Sequence, residues 1–241
     1  MQDKKPRHEL KYLCSETQLA VLKSRITTIL SKDAHSLQSN GYWVRSLYFD
    51  DYHNRCYHEN ESGTDPREKF RIRIYNHSSA RISLELKRKE HGMGKKFSCP
   101  LTMEQYNLLI QGHSLPDFNN LPPLLRKFVL QMQTTQLRPA IITDYFRTPF
   151  VFPNGNVRIT FDQYISSSVD FTHFFDEQIA KRPILPTGTH LMEVKYDEYL
   201  PDFIYRTLQT ENLRQTTFSK FYLARKYALR NSLIFSNSII R

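Results

Sequence analysis

The sequence predicts an α+β fold: an eight-stranded antiparallel β-barrel, rolled into a tunnel, with helices packed outside. Three observations carry this expectation. The stretch 68–89 alternates strictly between apolar and charged residues in two halves, the pattern of paired, half-buried strands. Glu-x-Lys recurs at Glu9 with Lys11, Glu85 with Lys87 and Glu193 with Lys195, and residues two apart in a strand share a face. Segments with helical spacing fall between the strands and at the end. With no fixed-period repeat, low-complexity tract or linker, the 241 residues read as a single domain with a core over about 7–229.

In chain order, residues 1–6 are a polar lead-in. Residues 7–13 form a first strand, with Glu9 and Lys11 opposite His8, Leu10 and Tyr12. Ser15 stands as an N-cap before a helix whose apolar stripe is Leu19, Leu22, Ile26, Ile29 and Leu30. A strand over 42–50 follows, then a polar, irregular stretch with a helical turn up to Pro66. In the central hairpin Phe70, Ile72 and Ile74 share one face, and Arg71, Arg73 and Tyr75 the other. Residues 76–79 turn the chain, after which Ile82, Leu84 and Leu86 oppose Ser83, Glu85, Lys87 and Lys89. Gly92 and Gly94 mark another turn, and a short strand runs from Lys95 or Lys96 to Cys99.

Thr102 and Gln105 spell a capping box for a helix to about residue 112, and Pro122 and Pro123 open another over 121–132. Strands over 140–152 and 157–164 are joined by a Pro-Asn-Gly turn. A short strand over 166–171, a Pro-containing loop over 181–188 and a last long strand over 190–196 come next. Pro201 starts a helix to about residue 208, and a final helix covers 218–229.

The formal net charge is +10 and the pI about 9.5, which favours an anionic partner: nucleic acid, a phosphorylated small molecule or polyphosphate. Only 7 glycines are present, and a Walker loop ending at Lys95 would need glycine at position 89, which is lysine. Three widely spaced cysteines form no zinc pattern and cannot all pair, so a reducing, cytoplasmic setting is expected. No secretory leader and no apolar run of about 18 residues is evident, so no membrane span is expected.

A lone hairpin of this kind ordinarily turns its charged side to water. Recurrence argues otherwise. Lys11, Arg71, Arg73, Lys87, Lys89, Arg147, Arg158 and Lys195 fall on the polar faces of successive strands, with Glu9, Glu85, Asp162 and Glu193 among them. If helices cover the apolar faces from outside, the charged side becomes the concave side of a rolled sheet, and closing the sheet removes its edges. Burying so many charges dry would cost several kcal/mol each, roughly, so the bore is expected to hold water and a polyanion. Cations in excess suit phosphates; the carboxylates suit a hard divalent ion such as Mg²⁺ or Mn²⁺.

The segments R-H-E-L-K-Y (7–12), S-L-Y-F-D (46–50), K-F-R-I-R-I-Y (69–75), L-E-L-K (84–87), D-Y-F-R (144–147), V-R-I-T-F-D (157–162), M-E-V-K-Y (192–196) and F-S-K-F (218–221), in this order, resemble the VTC-type polyphosphate polymerase domain. That family belongs to the CYTH-like triphosphate tunnel metalloenzymes, and the resemblance spans about 7–229. It implies an eight-stranded tunnel that moves the terminal phosphate of ATP onto a polyphosphate chain with Mn²⁺ or Mg²⁺. By resemblance, Lys11, Arg71, Arg73, Lys87, Arg147 and Lys220 match phosphate-binding positions, and Tyr145 and Ser219 match hydroxyl donors. Glu193 matches the metal-binding glutamate, and Lys95 or Lys96 supplies a further phosphate contact. Eukaryotic relatives join this domain to a phosphate-binding helical domain and a membrane segment, which this sequence does not contain.

Four functions follow as expectations: an ATP-dependent polyphosphate polymerase; a tunnel triphosphatase, with Glu9 or Glu85 holding the water; a non-enzymatic polyphosphate sensor; and, last, a nucleic-acid binder. The interleaved carboxylates would repel a phosphodiester backbone, so no nucleic-acid partner is expected.

Overall fold

A computed structural model describes residues 7–33, 40–210 and 212–238, with side chains up to residue 230. The lead-in over 1–6 lies outside the described residues. The elements are β1 (His8–Ser15), α1 (Glu16–Thr27), β2 (Ser31–Lys32), β3 (Tyr42–Asp50), α2 (Arg55–Glu61), β4 (Arg67–Tyr75), β5 (Ser78–Glu90) and β6 (Met93–Leu101). Then come α3 (Met103–Ile110), α4 (Pro123–Thr135), β7 (Arg138–Phe152), β8 (Val157–Ser168), β9 (Arg182–Pro183), β10 (Thr189–Tyr196), α5 (Asp202–Thr207) and α6 (Lys220–Ser238).

Eight strands run antiparallel in the order β1-β10-β8-β7-β3-β4-β5-β6, with the two-residue strands β2 and β9 added to β7 and β8. The path's two ends, β1 and β6, touch through one isolated antiparallel bridge, Arg7 to Gly94, rather than along a continuous ladder.

Local chemistry explains the connections. Asn76 and His77 both take positive φ (49° and 54°), so β4 and β5 are joined by a two-residue turn whose handedness matches the strand twist. Asn76 also accepts the Trp43 amide at 2.9 Å. Gly155 sits at φ 72°, and a Cβ there would lie 2.5 Å from the Tyr199 carbonyl, so this turn requires glycine. The capping boxes Ser15 with Gln18 and Thr102 with Gln105 open α1 and α3.

Several elements differ from expectation: β2 and β9 are short strands it did not include, β6 begins at Met93, α6 runs on past residue 229, and two further differences have a clear local cause. Residues 55–61, read as largely irregular, are helix α2: buried Asp50 accepts the amides of Cys56 at 2.8 Å and Tyr57 at 3.2 Å, capping the helix from six residues upstream. Strand β8 runs on to Ser168 and absorbs the first part of the expected strand over 166–171, because a bulge opposite Tyr145, with Tyr164 exposed at φ 54°, resets its register.

Alternation divides the sheet's faces. The outer apolar residues of β3, β4 and β5, including Leu47, Phe70, Ile72 and Leu84, pack under α3 and α4 around Phe128. Those of β7, β8 and β10, including Phe150, Ile159, Phe161 and Val194, pack under α1 and α5. The start of helix α6 does something else: Phe218 just before it, with Phe221 and Ala224 on it, packs with Tyr48, Ile141 and Tyr145, covering part of the inner face.

Candidate functional site

Cross-strand partners share a face, so the register itself assembles the inner surface. Glu9 pairs with Lys195, which pairs with Arg158; Lys11 pairs with Glu193, which pairs with Thr160. Asp162 pairs with Arg147, and Arg147 with Tyr42. Ser46 pairs with Arg73, Tyr48 with Arg71, and Arg71 with Glu85. Lys69 pairs with Lys87 and Lys87 with Lys96, while Arg67 pairs with Lys89. All the strand-borne candidate residues therefore line one face, except Lys95. Lys95 pairs with Arg88, on the face opposite Lys87, so of the two adjacent lysines it is Lys96 that shares the inner face.

The charges do not stand apart around an open bore; they meet in two clusters. In the first, Arg71 grips Glu85 through Nε at 2.8 Å and through Nη2, and Lys96 reaches the other carboxylate oxygen at 2.9 Å. Arg73 approaches the same carboxylate at 3.9 Å and donates to Ser46 Oγ at 3.0 Å. Arg71 also donates to the Tyr48 hydroxyl at 3.0 Å. Burial alone would raise the Glu85 carboxyl, but Arg71, Arg73 and Lys96 hold it far below the usual carboxylate range.

In the second cluster Arg147 forks onto Asp162 with two 2.7 Å bonds and reaches Glu193 at 3.5 Å. Lys220, the first residue of α6, sits between the two acids, 2.7 Å from Asp162 and 2.8 Å from Glu193. Lys195 bridges Glu193 at 3.1 Å and Glu9 at 3.3 Å, and Lys11 lies 3.7 Å from Glu9. Lys11 also donates to the Phe218 carbonyl at 2.8 Å, tying β1 to the start of α6. Burial works to raise Glu193, and Lys195, Lys220 and Arg147 pull it well below its ordinary value. Glu9, opposed by burial but drawn down chiefly by Lys195, falls to about 2.

Tyr145 joins the clusters. Its hydroxyl accepts from Arg73 at 3.3 Å, and its ring lies 4.8 Å from the Lys220 ammonium and 5.2 Å from the Arg147 guanidinium. Its own phenolic hydrogen stays available to donate. Ser219 caps α6, its Oγ accepting the Tyr222 amide at 3.3 Å, which likewise leaves its hydroxyl hydrogen to donate. Arg158 lies further along the face, held by Tyr42 at 3.0 Å and Asp33 at 3.1 Å. Lys87, half-buried, is driven well below the usual lysine range by burial first and then by Arg71, with Glu9 and Glu193 acting against the shift.

Sequence reasoning missed Tyr48, Ser46 and Lys69 as inner-face residues. The signal was present for one of them: Lys69 shares the parity of Arg71, whereas the run of β3 does not alternate in polarity.

The four carboxylates expected to hold a metal are not all brought together. Glu85 is enclosed by three cations, which repel a metal ion, and it belongs to the other cluster. Asp162 and Glu193 converge on a single ammonium, so one cation can be reached by both, and Glu9 is linked to them through Lys195. Thr160, paired with Glu193, keeps a buried hydroxyl oxygen without a partner. Among the described residues no three His, Cys, Asp or Glu side chains close around a point. That set fits Mg²⁺ or Mn²⁺ in one form: one or two carboxylates, with phosphate oxygens and water completing the shell.

The architecture is a triphosphate-tunnel fold, an antiparallel sheet rolled around a cationic face. The chain belongs to the VTC domain family, whose model matches residues 6–229. Among solved structures it is similar to a candidate adenylyl cyclase from Hippeastrum described as having a dominant triphosphatase activity (TM-score 0.55, 13% identity, 91% of this chain and 95% of that one). It is also similar to a candidate adenylate cyclase from Bacillus halodurans (TM-score 0.52, 14% identity, 89% and 94%). At these identities the likeness is one of fold. No curated protein matches the chain in sequence. Among the described residues no helix is long and apolar enough to cross a membrane.

Proposed function

We propose that this protein is an ATP-dependent polyphosphate polymerase. The observation that supports it best is the joining of two cationic clusters on one inner face through Tyr145. Phosphoryl transfer needs alignment and charge neutralisation more than covalent help. Arg71, Arg73, Lys87 and Lys96 hold the phosphates of ATP, and Arg147, Lys220, Lys11, Tyr145 and Ser219 hold the acceptor chain and the phosphoryl group in transit. A terminal oxygen of the chain forms a new bond to the γ-phosphorus, the bond from that phosphorus to the β–γ bridging oxygen breaks, and ADP leaves. The nucleophile is already an anion, so no general base is required.

Glu193, with Asp162, would hold Mn²⁺ or Mg²⁺, which when bound supplies charge neutralisation at the phosphate oxygens. With such an ion held there, Lys220 and Arg147 would be free to meet phosphate in place of Glu193 and Asp162. Lys220 gains further from its place at a helix N-terminus, where free amides favour anions.

Hydrolysis is the rival. It needs a water activated by a carboxylate poised to take a proton, yet Glu85, Glu193, Asp162 and Glu9 are all held below their ordinary values. Glu9, about one-third exposed, is the most accessible of these and the one that could position water. Purified protein incubated with ATP and Mn²⁺ distinguishes the two. Chains resolved on a gel with matching ADP support transfer; free phosphate without chains supports hydrolysis; neither product removes both. The partners under this proposal are ATP, polyphosphate and triphosphate.

A further inference from the structure

On the inner face, β4, β5 and β6 set three lysines side by side: Lys69 pairs with Lys87, and Lys87 with Lys96. The next rung pairs Arg67 with Lys89. Like charges directly opposite on a sheet destabilise it, and here about 5 Å separates each pair of Cβ atoms. Elsewhere on the same face the cations are compensated: Lys11, Arg147, Arg158, Lys195 and Lys220 each meet a carboxylate. In the lysine rung only Lys96 does, through Glu85. Among the described residues no carboxylate pairs with Lys69, Lys87 or Lys89. The Lys69 ammonium rests on neutral partners, Asn60 Oδ1 at 2.9 Å and the Phe221 ring at 4.9 Å.

We infer that Lys69, with Arg67 and Lys89, extends the phosphate site beyond the Lys87 and Lys96 given to ATP: this extension takes further phosphates of an inorganic chain, with Lys69 as its specificity-determining ligand. The inference rests on the proposed phosphate-chain function. An anion on Lys69 displaces no carboxylate, whereas in the acidic cluster it must first break an ion pair. Asn60 on α2 and Phe221 on α6 hold Lys69 in place, so those helices set the rung's position. Burial, the largest influence, brings the Lys69 amine down to about 8, so an arriving phosphate draws a proton onto it.

The test is metal-free titration calorimetry of the full chain with tripolyphosphate and with long-chain polyphosphate near pH 8, in two buffers of different ionisation enthalpy. Lys69→Met is expected to weaken long-chain binding about tenfold relative to triphosphate, the loss of one charge-assisted bond, and to remove the proton uptake that accompanies it. Lys69→Arg restores the affinity ratio but not the uptake. An unchanged ratio and unchanged uptake in Lys69→Met overturns the subsite while the function stands. A wild-type protein that binds neither anion overturns the function and the subsite together. If Lys69→Met fails a thermal-melt check, Lys89→Met decides by the same ratio: a fall supports the subsite and no change overturns it.

Discussion

Arg73 donates to the Tyr145 hydroxyl at 3.3 Å, and this bond is where the Glu85 cluster touches the Glu193 cluster. Tyr145 is otherwise held by its ring, which is buried beneath Arg147 and Lys220. Removing only the oxygen therefore tests the joint without disturbing the packing. Tyr145→Phe is expected to fold normally and to lose roughly ten- to a hundredfold in turnover, the range of a hydrogen bond to a charged group. Steady-state rates beside a thermal melt decide it. Unchanged turnover would reduce Tyr145 to a packing ring.

Glu193 sits among Lys220, Lys195 and Arg147. Its substitution by glutamine has two effects of opposite sign. Metal-dependent turnover should fall about a hundredfold or more, since the main carboxylate available to the cation is gone. Metal-free affinity for triphosphate should rise, because three cations lose the acid that competes with the ligand. A metal titration of activity and a metal-free binding isotherm check both arms. Activity that keeps its full metal response would remove Glu193 from the metal site.

Much of this was legible in the sequence because strand parity is strict. Once 68–89 was seen to alternate, Arg71, Arg73, Glu85 and Lys87 had to share a face, and the register places them there. What parity could not tell was distance around the sheet. Glu85 and Glu193 have the same Glu-x-Lys neighbourhood, yet one lies on β5 and the other on β10, in different clusters. The pairing of Lys220 with Asp162 depends on how α6 returns across the inner face, which no local pattern encodes. Lys95 and Lys96 were equivalent as adjacent lysines after a glycine turn; only the β5–β6 register separates them.

The inner carboxylates tie stability to acid. Glu9 has a folded value of about 2 against an ordinary 4.5, and Glu85, Asp162 and Glu193 are also lowered. As acid is added the unfolded chain takes up these protons first, so their stabilisation is complete above the unfolded value and is lost as pH falls through the folded ones. The melting temperature is expected to hold down to about pH 5 and then drop steadily toward pH 2. Added polyphosphate should steepen the pH dependence of its own binding in the opposite sense, since protonated carboxylates no longer compete for the cations. A flat melting profile across that window would show that these ion pairs add nothing net.

Arg45 is the largest buried charge away from the inner face. Its guanidinium is fully buried on the outer side of β3, pairs with Asp144 at 3.1 Å and donates to the carbonyls of Phe174 at 3.0 Å, of Asp176, and of Glu177 at 3.4 Å. It pins the segment after β8 onto the sheet. Asp144 retains Lys181 at 3.0 Å and His77 at 3.3 Å, so Arg45→Leu does not leave that carboxylate alone, but it strands three carbonyls. Loss of about 3–5 kcal/mol in unfolding free energy is expected, the cost of breaking a buried pair from one side. Denaturant unfolding measures it. Triphosphate affinity, read under conditions where the variant is folded, should match wild type, because Arg45 points away from the bore. A variant as stable as wild type would mean that the segment over 174–177 is held by its aromatic packing against Tyr106 alone.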